Sequence, residues 1–573
     1  MGLGEHFLLP EMMGRQRLGL AELSLGESVT ALFEVMVTGG TGEGIGGELA
    51  AGWTLRVGYT PVARGGGAVR MLVVKTVIRA RDEGLGKGVR GDGPLQFLRG
   101  AKMIFPPLIQ PPMKIQTLAA CLVFSGISVR FFAGGAAAAE VRPNIVVILA
   151  DDLGIGDMSA YRPGADVQTP HLDRLAAEGM RFSRMRANAT VCSPTRAALM
   201  SGRYADRVGV PGLIRTDPAN TWGYFDPKVP TIANHLRAAG YHTAIIGKWN
   251  LGLTAPGTPN DRGFDFFHGF LDDMMDSYTT HRRQGHNYMR RDREVVDPVG
   301  HATDIFTAWA RDYLRERAAA KSPFFLYLAY NAPHFPMEPP AEWLARVQRR
   351  APAMDGKRAL NVALVEHFDD GVGQVLAALK ATGLEQNTLV VLTSDNGGSL
   401  PHAQNNDPWR DGKQSHYDGG LRVPFVLRWP GKVTPGTTSD YAGLTFDIFA
   451  TALEAAGMTR PAGTDAVSLL PVLRGDAPAA SAATEPRELY FVRREGGPAY
   501  GGKSYEAIIK GDWKLMQNSP YAALELYNLK DDPQETTNLF AENQKVAREL
   551  QAALRLHVQR GGATPWQPPA GGK

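Results

Sequence analysis

From Arg142 onward, short apolar runs of strand length alternate with helical patterns, and this alternation constrains the fold more than any other feature of the chain. Ile145-Val146-Val147-Ile148-Leu149 is apolar at every position, and residues 243–246, 324–329 and 388–392 are nearly so. Such runs fit strands buried on both faces, as in a parallel sheet covered by helices. Between them, residues 170–180 place Leu172, Leu175 and Ala176 on one helical face. Residues 231–239 form a second helical pattern, stopped by Gly240. The expectation is an α/β fold with a mostly parallel central sheet flanked by helices.

The composition changes near residue 470. Residues 475–486 are rich in Ala, Pro and Ser and read as a linker. Four strand-like runs follow, at 489–492, 505–509, 513–516 and 524–527, with Gly511-Asp512 as a hairpin turn. A last helix over 542–558 precedes a loose tail, 561–573. The main α/β domain is therefore expected over 140–475. Residues 476–573 make a smaller C-terminal subdomain, an antiparallel sheet plus the final helix.

The chain before residue 140 reads differently. Met113-Lys114, an apolar stretch from Leu118 to Phe132 and Ala136-Ala137-Ala138-Ala139 mark 113–139 as a signal peptide, interrupted at Arg130. The destination is the periplasm or the medium. Leu118-Ala119-Ala120-Cys121 resembles a lipoprotein cleavage box, but few apolar residues precede it, so lipid anchoring ranks second. Residues 1–112 are a Gly- and Arg-rich extension with no sustained period of 2 or 3.6. The preferred reading is that translation starts at Met113 and the extension is not made; if made, it is disordered, without a stable core, and places the signal inside the chain. Gly42-Glu43-Gly44-Ile45-Gly46-Gly47 matches the dinucleotide pattern GxGxxG, but Gly52 breaks the following helix and no acidic ribose ligand stands at the expected distance. The formal net charge of +4 falls entirely within residues 1–139, so the remainder is neutral, which argues against a nucleic-acid partner. No apolar run after residue 140 makes a stable membrane span.

Of the two cysteines, Cys121 lies in the signal, which leaves Cys192 alone in the mature protein. In an exported protein an unpaired cysteine has no disulfide to explain it. It opens the run Cys192-Ser193-Pro194-Thr195-Arg196. Ser193 reads as a helix N-cap, Pro194 as the first helical residue and Gly202 as the stop. Cys192 then stands at a helix N-terminus, where free N–H groups favour an anion, with Arg196 one turn in. A small core residue before an ordinary helix is the plain alternative.

Two of the apolar runs end in acids: Ala150-Asp151-Asp152 and Ser394-Asp395-Asn396-Gly397. In open parallel sheets, sites form outside the carboxyl ends of the strands. Three carboxylates and an amide converging there make an all-oxygen donor set that suits Ca²⁺ or Mg²⁺ rather than zinc. Lys248 in Gly247-Lys248-Trp249-Asn250-Leu251-Gly252, His334 in Pro333-His334-Phe335-Pro336 and Lys413 in Arg410-Asp411-Gly412-Lys413 follow in comparable places. Singly, such residues are more often caps, turns or solvated charges. Their joint occurrence favours a site.

Together these segments resemble the type I sulfatase family, formylglycine-dependent and arylsulfatase-like, within the alkaline-phosphatase-like superfamily. The resemblance runs from about Arg142 to the final helix, in order. It includes Arg142-Pro143-Asn144 with Asp151-Asp152, Thr169-Pro170-His171-Leu172-Asp173, Cys192 to Arg196, Gly240-Tyr241 to Gly252, Gly263-Phe264-Asp265 and Asp395-Asn396-Gly397. Gly511-Asp512-Trp513-Lys514-Leu515 and Glu525-Leu526-Tyr527-Asn528-Leu529 also fit.

The resemblance implies that a maturation enzyme oxidises Cys192 to formylglycine. Asp151, Asp152, Asp395, Asn396 and residue 192 would then bind one calcium ion. The hydrated aldehyde would attack sulfur with Asp395 taking up its proton. Arg196, Lys248 and Lys413 would hold sulfate oxygens, and His334 would assist the leaving group. The substrate implied is a sulfated carbohydrate or an aryl sulfate. One position departs from the pattern, because Asn250 stands where the family usually has a histidine that drives sulfate release. Asn has no titratable nitrogen, so either another base serves, with His416 near in sequence, or release is slow. The segment from Phe270 to Gly300, with Asp272, Asp273, Met274, Met275, Arg282 and Arg283, is the expected pocket rim. A phosphoester or phosphonate hydrolase of the same superfamily and a glycan-binding pseudosulfatase are the alternatives.

Overall fold

In the computed structural model the four apolar runs lie side by side as parallel strands. Across the sheet the order is His242–Lys248, Phe324–Ala329, Asn144–Ala150, Thr388–Ser394. Ala329 pairs with Leu149 and Gly247, and Ser394 with Ala150, so all four carboxyl ends leave the sheet at one edge. Phe266–Phe270 extends the parallel part beside His242–Lys248, and Phe425–Arg428 runs antiparallel beside Thr388–Ser394, within a sheet of ten strands. The structure describes residues 142–320, 322–475, 486–495, 506–519 and 521–569, with the backbone of four strands between residues 16 and 78. The α/β class expected from the sequence is the one observed.

The uninterrupted apolar runs are explained by two cores, one on each face. Ile145, Val147 and Leu149 enter one with Leu199, Ile232 and Phe449. Val146 and Ile148, pointing the other way, enter the second with Leu172, Phe306, Leu364 and Phe368. Strand crowding is greatest at Gly247, where φ is +102° and a Cβ would lie 1.9 Å from the carbonyl oxygen of Ala329. No side chain fits there.

Boundaries shift by a few residues from the sequence reading. The helix expected over 170–180 ends at Glu178, and Met180–Phe182 is a strand of the main sheet. Lys248, read as following its strand, is the last residue of it. The final helix spans Gln544–Gly562, extending past 558.

The C-terminal part has its own four-stranded antiparallel sheet, in the order Glu488–Val492, Glu506–Lys510, Trp513–Gln517, Glu525–Asn528. Gly511 makes the expected turn with φ +62°. Ala547, Leu550 and Leu554 of the final helix join Tyr490 and Ile508 in the larger core. A buried ion cluster ties this sheet to the main domain. Asp418 accepts from Arg186 Nε at 3.0 Å and Nη2 at 2.6 Å, from Arg422 Nε at 2.8 Å and from Lys514 Nζ at 3.0 Å. Asp418→Ala leaves three buried cations without their shared anion. The expected loss is about 3–5 kcal/mol of stability, read as a lowered midpoint in urea unfolding.

A separate unit, residues 1–131, is divided from the rest. Its four strands, Gln16–Ser24, Thr30–Gly40, Gly52–Pro61 and Val74–Ile78, pair antiparallel in sequence order. The missing period of 2 therefore did not mean missing strands, since hairpin pairing uses backbone groups whatever the side-chain alternation. The Gly42 to Gly47 motif and the 113–139 signal lie outside the described residues. Among the described residues, no helix is long and apolar enough to cross a membrane.

Candidate active site

The common strand edge is where the acidic residues meet. Asp151, Asp152, Asp395 and Asn396 follow two neighbouring strands and are fully buried. The turn at Asp152 has φ +66°, a conformation uncommon outside glycine. Its N–H donates to Asp395 Oδ1 at 3.1 Å, while Leu153 N–H donates to Ser394 Oγ at 2.9 Å. These bonds hold the two acidic turns against each other.

Cys192 enters from another element. It is the first residue of helix Cys192–Ser201, whose N-cap is Val191 and whose end is Gly202 with φ +65°. Ser193 is not the cap expected from the sequence. Its hydroxyl donates to Asn250 Oδ1 at 3.0 Å and accepts from Ile214 N–H at 3.0 Å, so it is used between segments rather than along the helix. Cys192 Sγ lies 3.3 Å from Asp151 Oδ1 and 3.7 Å from Lys413 Nζ.

The cations close the cluster. Lys248 Nζ bonds to Asp151. Arg196 Nε and Nη2 donate to Asp395 Oδ2 at 3.0 and 2.8 Å. Lys413 Nζ lies 2.7 Å from Asp152, and His334 Nε2 lies 3.7 Å from it. Donor atoms of Asp151, Asp152, Cys192 and His334 all fall within 4.8 Å of one another.

These neighbours set the charges. Burial opposes ionisation of Asp151, but Lys248, His334 and Arg196 outweigh it and hold the carboxyl at about 2. Asp395 moves the other way, raised by burial and by Asp151. Burial, then Asp151 and Asp395, push the Cys192 thiol well above its usual value, so the thiolate is disfavoured. Burial and Lys413 lower His334 to about 4. Its Nδ1 lies 2.7 Å from the Phe335 carbonyl, which only accepts, so Nδ1 carries a proton and Nε2 is the nitrogen turned toward Asp152.

The donor set fits a hard cation. Asn396 Nδ2 donates to Asp152 Oδ1 at 2.7 Å and to Gly397 O at 2.9 Å, while its buried Oδ1 has no hydrogen-bond partner. An unsatisfied buried amide oxygen beside three carboxylates is an acceptor-rich corner that a divalent ion would satisfy.

Neither Asn250 nor His416 makes a side-chain hydrogen bond to the acids and cations of this cluster. Asn250, with φ +58°, donates from Nδ2 to Ile214 O at 3.0 Å and accepts from Ser193. Its amide clamps the residue next to Cys192. His416 is fully buried with no partner at either ring nitrogen, and burial lowers its pKa, assisted by Lys514 and Arg493. Those are cations of the C-terminal junction, not Lys413 or Lys248.

In the expected rim, Asp272 accepts from Thr216 Oγ1 at 2.7 Å, and burial with Asp273 raises it to about 6. Arg283 pairs with Asp273 and Asp276, both at 3.0 Å, whereas Arg282 pairs with Asp297. Two neighbours of the site were not singled out from the sequence: Ile214, which the Ser193–Asn250 clamp holds, and Tyr278, which lies within the expected rim segment.

A buried cysteine at a helix N-terminus, ringed by paired acids and bases at the carboxyl edge of a parallel sheet, defines a hydrolase built for an anionic ester. A family model described as Sulfatase matches residues 143–458, and one described as N-sulphoglucosamine sulphohydrolase, C-terminal, matches 408–560. N-acetylgalactosamine-6-sulfatase of Canis lupus familiaris is 34% identical over 364 residues, covering 60% of this chain and 68% of that one. N-acetylgalactosamine-6-O-sulfatase of Bacteroides thetaiotaomicron is 27% identical over 503 residues, covering 72% and 92%. The solved structure of Ps i-CgsB in complex with k-i-k-neocarrahexaose superposes with a TM-score of 0.67 at 28% identity, covering 75% of this chain and 95% of that one. With over half of its length matched by the family model, the chain belongs to the sulfatase family and is a sulfuric ester hydrolase.

Proposed function

We propose that this protein is an exported, calcium-dependent sulfatase that removes sulfate from sulfated saccharides, with Cys192 converted to formylglycine by a maturation enzyme. The observation that carries the reading is the state of Cys192. Its thiol stands between Asp151 and Lys413 at a helix N-terminus, yet burial and two carboxylates oppose the thiolate. A side chain so placed and so disfavoured as a nucleophile is better explained as the precursor of one. The hydrated aldehyde would supply one hydroxyl for attack and a second for release of sulfate. A calcium ion on Asp151, Asp152, Asp395, Asn396 and residue 192 would supply positive charge to neutralise the developing anion.

The chain's own residues then have separable tasks. Arg196, Lys248 and Lys413 bind the sulfate oxygens, and their pairing with Asp395, Asp151 and Asp152 fixes them in advance. Asp395, raised by burial and Asp151, is suited to accept a proton beside residue 192. His334 presents Nε2 on the side of Asp152 and serves the leaving oxygen. Asn250 acts through Ser193 and not as a base. The names of the Canis and Bacteroides relatives and the bound neocarrahexaose support a saccharide substrate. Export rests on the 113–139 segment.

The test measures free sulfate from defined sulfated saccharides alongside matched aryl sulfate and aryl phosphate esters, with the mass of the Cys192 peptide. The expected result is an aldehyde mass at residue 192 and faster sulfate than phosphate release. Faster phosphate release would establish the phosphoester reading instead, and an unconverted cysteine in fully active enzyme would remove the mechanism.

A further inference from the structure

We infer that Tyr278 is a positioning residue for His334, fixing where that imidazole meets the leaving oxygen. The inference rests on the role proposed above for His334. The catalytic histidine sits on an irregular turn closed by His334 N–H donating to Asn331 O at 2.9 Å. The middle carbonyls of the turn are held from other segments, Ala332 O by Asp151 N–H at 3.1 Å and Pro333 O by Gln404 Nε2 at 2.8 Å. Tyr278 holds the first and the last. Its hydroxyl lies 2.8 Å from Asn331 O and 2.7 Å from His334 O, so one O–H is shared between the two carbonyls that open and close the turn.

Tyr278 is itself held on every side. It is buried, and its ring stacks on His301 with centroids 4.8 Å apart and planes 16° apart. Its N–H donates to Glu338 Oε2 at 2.9 Å, and its carbonyl accepts from Ala302 N–H at 2.8 Å. Glu338 lies just beyond His334 in the same loop, and its carbonyl lies 3.0 Å from His301 Nε2. The other ring nitrogen of His301 accepts from Thr303 N–H at 3.2 Å. With both nitrogens taken, His301 is not available as a metal ligand; it is the floor under Tyr278, with His367 packed against it and Asp304 bonded to His367. The tyrosine thus belongs to the rim segment, between Phe266–Phe270 and Arg282–Arg283, yet its hydrogen bonds go to the catalytic turn.

A displaced imidazole costs most where the leaving oxygen needs most help. Positional errors of about 1 Å at such a group cost up to about a hundredfold. Tyr278→Phe keeps the ring on His301 and deletes only the bridging hydroxyl. The experiment measures kcat/KM of the formylglycine-bearing enzyme on aryl sulfates of graded leaving-group pKa, for Tyr278→Phe, His334→Ala and the double variant. The expected loss in Tyr278→Phe is within about twofold on the best leaving groups and about ten- to a hundredfold on the poorest. His334→Ala follows the same trend, and adding Tyr278→Phe to it costs nothing further. Each slope compares substrates within one preparation, so it does not depend on the folded fraction. A uniform loss across leaving groups, or full additivity with His334→Ala, overturns the inference. A flat profile in His334→Ala overturns it too, and marks the failure as that of the His334 assignment.

Discussion

Cys192→Ala abolishes sulfate-ester hydrolysis while leaving the protein folded. The expected loss in kcat is at least about ten-thousandfold, the scale on which removal of a nucleophile is felt. The fold survives because the change is small and local. Cys192 is buried at the start of a helix whose other residues are unchanged, and alanine keeps its Cβ. Losing one buried sulfur costs on the order of 1 kcal/mol. Its contacts to Asp151 and Lys413 are secondary, since each of those groups keeps a stronger ion pair, to Lys248 and to Asp152. Circular dichroism and the thermal midpoint check the fold, and sulfate release checks the activity. Residual hydrolysis above a few per cent would exclude residue 192 as the nucleophile.

Removing the metal gives the second large effect. Chelation is expected to lower activity by about a hundred- to a thousandfold, reversibly on adding Ca²⁺, because the charge stabilisation of several kcal/mol that an ion contributes is lost. The same treatment lowers the thermal midpoint, since an ion bound at 100 times its Kd stabilises the native state by about 2.7 kcal/mol. Asp152→Asn separates the two sources of the effect. Asp152 touches Lys413 at 2.7 Å and Asn396 Nδ2 at 2.7 Å, so the amide loses an anionic ligand and an ion pair together. This variant starts with a lower midpoint and responds little to chelator. Wild-type enzyme whose midpoint and activity both ignore chelator would show that the acidic corner works without an ion.

The residues at this corner differ in how they could be recognised. Asp151, Asp152, Asp395 and Asn396 follow apolar runs that are strands by length and composition, and strands of a parallel sheet deliver their carboxyl ends to one edge. Their neighbourhood was therefore legible in the sequence. Asn250 was legible as an anomaly but not as a structure. That its amide is spent on Ser193 and Ile214 depends on a loop whose sequence carries no periodic signal. His416 shows the reverse. Nearness in sequence to Lys413 suggested a base, yet its ring is buried near Lys514 and Arg493 of the C-terminal junction, since closeness along the chain does not fix where a side chain is buried. Tyr278 fell inside the expected rim segment but was not singled out there, being a single aromatic residue in an irregular loop that becomes important only through two carbonyls more than fifty residues away.

The sequence by itself determined the α/β class, the order of the central strands' motifs and the set of acids, bases and the single cysteine available for chemistry. Those properties follow from local pattern, hydrophobic runs, caps and turn residues, whose physics acts over a few positions. Strand order across the sheet, the pairing of each cation with one carboxylate, the rise of the Cys192 pKa and the bracing of His334 by Tyr278 were decided only in the folded chain. They arise from burial and from contacts between residues distant in sequence. The energy of a buried charge or hydrogen bond depends on partners that only the tertiary structure brings within a few ångströms.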